Sequence, residues 1–226
     1  MKQYINWSIA SALLLSQSIV HAGGSGLTGS GVPSNMKFYA GASAGLSSHD
    51  GACKANADGL LSCDDNDTGY KVFGGVRLNP ENSSVVLPAL GVEGGYINFG
   101  ENKAEGDILS SRKVPIGTGT SSNTITGTYL AGVGYMPVAE NTEIMGKAGA
   151  VFWDQNYERT VANDPTLNAK TSDSGVGMLV GAGIQHKFSP NLAVRGEYER
   201  ALKVGKDTVN ETDASLLSVG AVFSTY

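Results

Sequence analysis

The chain has 226 residues, of which 41% are hydrophobic and 16% are charged, with 31 glycines and a formal net charge of −5. The length fits one domain, the apolar content excludes a disordered chain, and the glycines follow no three-residue period that would indicate collagen. The negative net charge argues against nucleic acid as a partner.

The first 22 residues, MKQYINWSIASALLLSQSIVHA, are typical of a secretory signal peptide. Lys2 supplies the positive charge, and Val20-His21-Ala22 fits a cleavage site. An N-terminal membrane anchor is the alternative, but the apolar run is shorter than the ~20 residues that a spanning helix needs. We therefore expect an exported chain with a signal peptide at 1–22, a flexible Gly/Ser-rich segment at 23–35 and one folded domain at 36–226.

The folded domain shows the two-residue period of β-strands. The period is clearest between Val176 and Tyr198, where apolar residues alternate with glycines and charges on both sides of a Ser189-Pro190-Asn191 turn. Eight strands are predicted on this basis, at residues 37–46, 69–78, 85–99, 123–136, 142–153, 176–188, 192–198 and 214–226.

The connections between these predicted strands alternate between long and short. The long polar segments are 47–68, 100–122, 154–173 and 201–213, and the short turns are 79–84, 137–141 and 189–191. Outer-membrane barrels combine an even strand count with short periplasmic turns and longer extracellular loops, whereas soluble sandwiches and barrels give no reason for this alternation. The sequence therefore predicts an all-β fold, an eight-stranded antiparallel transmembrane β-barrel in the bacterial outer membrane. We expect a monomer with both termini in the periplasm.

Aromatic residues near the strand ends are predicted to form the girdles at the two membrane interfaces. They are Tyr39, Tyr70, Tyr96, Phe99, Tyr129, Tyr135, Phe152, Trp153, Phe188 and Tyr198. On the fourth predicted strand, Tyr129, Ala131, Val133 and Tyr135 are assigned to the lipid-facing side.

Several stretches resemble the OmpA-like outer-membrane β-barrel family of Gram-negative bacteria. They are GYKVFGGVRLNP (69–80), GVEGGYINFGE (91–101), GKAGAVFWD (146–154), GAGIQHKFSPNLAVRGEYE (181–199) and LSVGAVF (217–223). The resemblance covers the second to the eighth predicted strand. Members of the family often carry a C-terminal peptidoglycan-binding domain, and we expect the barrel domain only in this sequence.

The resemblance implies a network of acidic and basic side chains inside the barrel, at Glu93, Lys147, Arg195 and Glu197. The strand period places these residues on the glycine-rich face independently, and Lys71 lies on the same face of its strand. By resemblance, Gln185 takes the place of another lumen carboxylate and Gly132 that of another cation. An eight-stranded barrel has little room for more than side chains, and buried charges must pair, so we expect a paired network.

The cysteines of the chain are Cys53 and Cys63. An even pair in an exported protein predicts a disulfide. No further soft ligands lie nearby, so we expect no metal at this position. The acidic run at 64–69 begins like a calcium loop, but Gly75 occupies the position of the closing glutamate.

Histidine-based catalysis finds little support in the sequence. His21 belongs to the predicted signal peptide, His49 lies in the first long loop, and His186 is expected to face lipid at the periplasmic interface. A hydrolase would need a histidine, a nucleophile and a carboxylate that converge on one point. We therefore expect no catalytic residues, no cofactor and no enzymatic activity, although some barrels of this size are lipid-modifying enzymes.

These observations predict a structural envelope protein with a surface-interaction role, of the adhesion or colonisation type, through four extracellular loops. The expected partners are outer-membrane lipid and lipopolysaccharide, with a host-surface or matrix ligand at the loops. The alternative is a narrow pore for small solutes.

Overall fold

The computed structural model describes residues 35–50, 60–64, 66–79, 88–109, 115–162, 164–205 and 212–225. It contains one 3-10 turn at Pro165–Leu167 and nine strands: β1 (Met36–Asp50), β2 (Leu60–Asp64), β3 (Asn66–Leu78), β4 (Ala89–Leu109), β5 (Pro115–Ala139), β6 (Thr142–Val161), β7 (Ala169–Lys187), β8 (Leu192–Val204) and β9 (Thr212–Ser224). Within the described residues, no helix has the length and apolar character to cross a membrane. The predicted signal peptide and Cys53 lie outside this part of the chain, so the disulfide stays a prediction.

Eight of the strands form a closed antiparallel ring in the order β1-β3-β4-β5-β6-β7-β8-β9, and β9 pairs with β1. The short β2 lies outside the ring, where it pairs with the Lys103–Gly106 part of β4. Closure satisfies the backbone groups of every ring strand, which the hydrocarbon core of a membrane demands. The predicted eight-stranded antiparallel transmembrane barrel is confirmed.

The two ends of the ring differ. At one end, which we call the short-turn end, β5 and β6 are joined by residues 140–141 and β7 and β8 by residues 188–191. The beginning of β1 and the end of β9 lie at the same end. At the other end, which we call the long-hairpin end, the β4–β5 and β6–β7 hairpins extend beyond the rest of the ring.

The outside of the ring carries a belt of large apolar side chains. Its most exposed members are 52–68% accessible and include Leu46, Leu90, Leu130, Phe152, Val176, Val219 and Phe223. Such a belt would be an aggregation hazard in water, but it matches the lipid-facing surface of an outer-membrane barrel. Seven of the eight predicted strands have the facing that the sequence predicted.

The predicted facing of the fourth strand, β5, is wrong. Tyr129, Ala131, Val133 and Tyr135 are at most 4% exposed and face the lumen, whereas Leu130 faces outward. The cause lies in the register, because β5 pairs Ala131 directly with the inward-facing Glu93 of β4. Directly paired residues of an antiparallel sheet point to the same face, so β5 must turn this row of residues inward.

The predicted aromatic girdles are therefore wrong in part. Half of the assigned residues are buried inside the ring rather than placed against lipid: Tyr39, Phe99, Tyr129, Tyr135 and Trp153. Tyr70, Phe152, Phe188 and Tyr198 are exposed on the outside, as predicted. The tyrosines that point inward have hydroxyl partners there, described below.

Three of the segments predicted as loops are largely strand. In the first, 47–68, β1 continues to Asp50, β2 occupies Leu60–Asp64 and β3 begins at Asn66, so His49 lies in a strand and not in a loop. Residues 100–122 form paired β4 and β5 up to Leu109 and Pro115, and residues 154–173 form paired β6 and β7 up to Arg159 and Ala169. These extensions lie beyond the apolar belt, and their exposed faces are polar, as at Lys103, Glu105, Glu158 and Thr160. Their sequences therefore lack the apolar alternation on which the strand prediction depended.

A bulge bends β4 at the level where the hairpin leaves the belt. Gly100 adopts a positive φ of 78°, and a Cβ at this position would lie 2.9 Å from the side chains of Asp67 and Ser47. The Asp67 carboxylate accepts a hydrogen bond from the Glu101 backbone N–H at 2.7 Å.

We expect Leu130→Arg to lower the free energy of unfolding by about 2–4 kcal/mol, because it places a charge in the lipid-facing belt. Thr160→Arg is the matched control, since Thr160 is exposed on the β6 extension beyond the belt, and its effect should stay within about 0.5 kcal/mol. Urea unfolding in lipid vesicles measures both values. Equal effects of the two substitutions would contradict the facing of β5.

Candidate functional site

Six charged side chains meet in the middle of the lumen and form what we call the central cluster. Its members are at most 5% exposed: Lys71, Glu93, Lys147, Arg195, Glu197 and Glu199. Three cations face three carboxylates, so the cluster is balanced in charge. Balance matters here because an unpaired charge in a dry interior costs several kcal/mol.

Each cation of the central cluster is held by at least one carboxylate. Lys71 Nζ lies 2.5 Å from Glu197 Oε2 and 2.6 Å from Glu199 Oε2. Lys147 Nζ lies 2.7 Å from Glu197 Oε1 and 3.0 Å from Glu93 Oε1, and it also contacts Glu199 Oε1. The two lysines therefore bridge β3 and β6 to the same pair of glutamates on β8.

Glu93 is the most connected member of the central cluster. Arg195 Nη1 donates to its Oε2 at 2.6 Å. The Tyr129 hydroxyl donates to Oε1 at 2.8 Å, and the Tyr39 hydroxyl donates to Oε2 at 3.1 Å. Together with Lys147, these groups satisfy both oxygens of a fully buried carboxylate.

Glycines between the strands give these long side chains room to meet. Gly75 lies between Tyr39 of β1 and Glu93 of β4 in one cross-strand row. A Cβ on Gly75 would lie 2.5 Å from the Tyr39 ring, which shows that the ring passes directly over this residue. Gly181 separates Lys147 from Glu199 in the same way, with Cβ distances of 3.2 and 3.1 Å to their side chains.

The polar network continues from the central cluster to the short-turn end. Gln185 accepts a hydrogen bond from Arg195 Nε at 3.0 Å and donates to Glu143 Oε1 at 3.0 Å. Glu143 also pairs with Arg77 Nη1 at 2.6 Å and with Lys187 Nζ at 3.3 Å. One connected set of polar groups therefore runs from Lys71 in the central cluster to Lys187 at the short-turn end.

The structure brings together all six residues that the sequence analysis assigned to the lumen: Lys71, Glu93, Lys147, Gln185, Arg195 and Glu197. Sequence reasoning did not assign Glu199, Glu143 or the tyrosine hydroxyls. The strand period offered a signal for both glutamates, since Glu199 is in phase with Glu197 and Glu143 with Lys147. Gly132, expected at a lumen cation position, pairs with outward-facing Val92 and lies on the outside.

His186 is exposed, and its Nδ1 lies 2.9 Å from the Thr142 hydroxyl at the short-turn end. His49 is fully buried near the other end of β1. Within the described ranges, no three histidine, cysteine, aspartate or glutamate side chains are grouped in a way that would hold a metal ion.

A family model described as the OmpA-like transmembrane domain matches residues 33–225, which include every strand of the ring. The chain belongs to the OmpA-like transmembrane domain family. The resemblance seen in the sequence is thereby confirmed, and so is the location in the bacterial outer membrane. In an OmpA-like barrel the short-turn end faces the periplasm and the long-hairpin end faces the outside.

Outer membrane protein P5 of Haemophilus influenzae is 31% identical to this OmpA-like chain over 180 residues, covering 77% of the chain and 46% of that protein. Outer membrane protein A of Salmonella typhi is 26% identical over 193 residues, covering 84% and 49%. The chain thus spans about half the length of these relatives. The crystal structure of Ail, the attachment invasion locus protein of Yersinia pestis, is 16% identical, with a TM-score of 0.45 and coverage of 84% and 97%. That likeness is too distant to indicate a function.

We expect Gly75→Ala to destabilise the barrel by about 1–3 kcal/mol, because a Cβ at this position would lie 2.5 Å from both the Tyr39 ring and the Val92 backbone carbonyl. Gly132→Ala is the matched control, since the nearest atom to a Cβ there is 3.9 Å away. Urea unfolding followed by tryptophan fluorescence compares the two variants. Equal stability of Gly75→Ala and the control would contradict the close packing at Gly75.

Proposed function

We propose that this OmpA-like protein is a non-enzymatic envelope protein whose closed barrel holds polar hairpins above the outer membrane for surface recognition. The observation that carries the proposal is the central cluster, whose buried and charge-balanced side chains fill the middle of the lumen. A lumen filled in this way favours a rigid scaffold over a passage, and it directs attention to the parts that leave the membrane.

The hairpins at the long-hairpin end are suited to recognition because they are polar and regularly paired. On β6, residues 154–161 extend beyond Phe152 of the belt, which corresponds to roughly 25 Å of strand at about 3.3 Å per residue. Binding residues are often carried by segments that a rigid scaffold positions. The ligand class that we propose is a host-surface or matrix component, with lipopolysaccharide as the neighbour in the membrane.

The exposed histidine of the short-turn end, His186, does not converge with the carboxylates of the lumen. His186 lies on the outside at the short-turn end, whereas the carboxylates Glu93, Glu197 and Glu199 lie in the lumen and are engaged by cations. This separation supports a non-enzymatic role, because acid–base and nucleophilic catalysis need groups within hydrogen-bond reach of one another.

A narrow pore is the second candidate, and one observation favours it. A cavity of about 380 Å³ opens at the short-turn end and reaches Tyr135 and Arg195. Part of the lumen is therefore accessible from the periplasm, and the central cluster separates this cavity from the long-hairpin end. Conduction would require the cluster to rearrange its ion pairs.

Truncation of the hairpins tests the surface role. Asn102 and Asn123 are paired, as are Asn156 and Ser172, so each hairpin can be closed at these pairs with a two-residue Asn-Gly turn that keeps the register. We expect the doubly truncated protein to keep the heat-dependent gel mobility of a folded barrel but to lose binding to epithelial cells and matrix-coated wells.

Each single truncation serves as a control for the contribution of the other hairpin. Binding of the folded double truncation at the level of the full chain would overturn the proposal.

Planar-bilayer conductance separates the scaffold from the pore. We expect the refolded protein to give no steady current steps, because breaking buried ion pairs costs about 3–5 kcal/mol. Glu93→Gln removes one charge of the central cluster, and Glu158→Gln on the exposed β6 extension is the matched control. Steady steps in the unaltered protein that change with Glu93→Gln alone would establish the pore instead.

A further inference from the structure

The cavity at the short-turn end has an unusual distribution of charge. Four cationic side chains line it, and we call them the basic vestibule: Lys37, Arg77, Lys187 and Arg195. No carboxylate is among the described residues that line the cavity. The remaining polar lining consists of Asn79, Gln185, Ser224 and the hydroxyls of Tyr39 and Tyr135. The two tyrosine hydroxyls already donate to Glu93 and to Tyr39, whereas the amides of Asn79 and Gln185 and the Ser224 hydroxyl can donate to a ligand.

Two of these cations are placed against each other by the register of the barrel. Lys37 of β1 and Arg77 of β3 are directly paired. They lie two residues along their strands from the inward-facing pair of Tyr39 and Gly75, so they share its face. Like charges directly opposite each other destabilise a sheet. Within the described residues, no carboxylate lies within ion-pair distance of Lys37, so this repulsion is not offset locally.

The carboxylates behind the vestibule do not neutralise it. Arg77 and Lys187 share a single glutamate, Glu143, and Arg195 is paired with Glu93. Four cations therefore face two carboxylates in this part of the lumen, in contrast to the balanced central cluster. Buried or half-buried positive charge in excess attracts a counter-ion, and a concave, water-excluding wall strengthens the attraction.

The geometry of Arg77 is suited to an anionic group. Its guanidinium lies 4.4 Å from the centre of the Tyr135 ring, and its Nε donates to Asn79 Oδ1 at 2.8 Å. These contacts hold the planar group in place, and a fixed guanidinium recognises carboxylate and phosphate groups well. The side chain of Lys187 is 43% exposed and that of Arg195 only 3%, so the vestibule leads from periplasmic solvent into the lumen.

From these observations we infer that the basic vestibule is a binding site for a small anion with carboxylate or phosphate groups, which enters from the periplasm. A volume of about 380 Å³ is enough for a small organic ligand. The inference is independent of the proposed recognition at the long-hairpin end, because the two surfaces lie at opposite ends of the barrel.

Isothermal titration calorimetry of the refolded full chain in detergent micelles tests the inference. The probes are citrate, inorganic phosphate and pyrophosphate. We expect saturable binding of at least one probe. Citrate should bind most tightly if the ligand is a carboxylate, and pyrophosphate should bind most tightly if it is a phosphate. The double variant Lys37→Gln/Lys187→Gln should weaken that binding by at least about tenfold, as expected for the loss of nearby unit charges. The control Lys103→Gln/Lys170→Gln removes two exposed lysines from the long-hairpin end and should leave it unchanged.

Glu143→Gln provides a test in the opposite direction. It removes the shared partner of Arg77 and Lys187, so it should tighten anion binding on the order of tenfold. Heat-dependent gel mobility establishes that each variant is folded. Absence of saturable binding to the unaltered protein would overturn the inference, as would equal weakening by the vestibule and control variants.

Discussion

The contacts of one buried carboxylate hold much of the barrel in register. Glu93 projects from β4 and receives side chains from β1, β5, β6 and β8 through Tyr39, Tyr129, Lys147 and Arg195. Five of the eight ring strands therefore meet at one group. If one of these strands slipped by one residue, the side chain with which it contacts Glu93 would point into lipid. The cost of burying Glu93 is therefore offset only in the correct register.

This constraint explains which parts of the fold could be predicted from the sequence. The two-residue period reveals seven strands with the correct facing, because apolar residues alternate there with glycines or charges. In β5 both faces are apolar or glycine, with Leu130 and Met136 on one and Val133 and Tyr135 on the other. The facing of β5 is decided by the pairing of Ala131 with Glu93, a contact distant in sequence that no local pattern contains.

The same reasoning explains which side chains of the lumen could be predicted from the sequence and which could not. The sequence predicts lumen positions for Lys71, Glu93 and Arg195 because they share the glycine-rich face of their strands. Charged residues are unfavourable against lipid, so this face must point inward. The tyrosines could not, since a tyrosine suits both a membrane interface and a buried position where its hydroxyl finds a partner. The hairpin extensions escaped prediction for a different reason, because their exposed faces lie outside the membrane, are polar and carry no apolar alternation.

The eight strands of the ring are unequal in length, and the long ones are neighbours. β4, β5, β6 and β7 have 19–25 residues, whereas β1, β3, β8 and β9 have 13–15. Among the described residues, the paired strands thus extend further on the side of β4 to β7, and pairing of β7 with β8 begins only at Met178. A large molecule that approaches from above would meet the broad face of a sheet on this side. Contact with the cell surface would therefore depend on the rotational orientation of each barrel in the membrane.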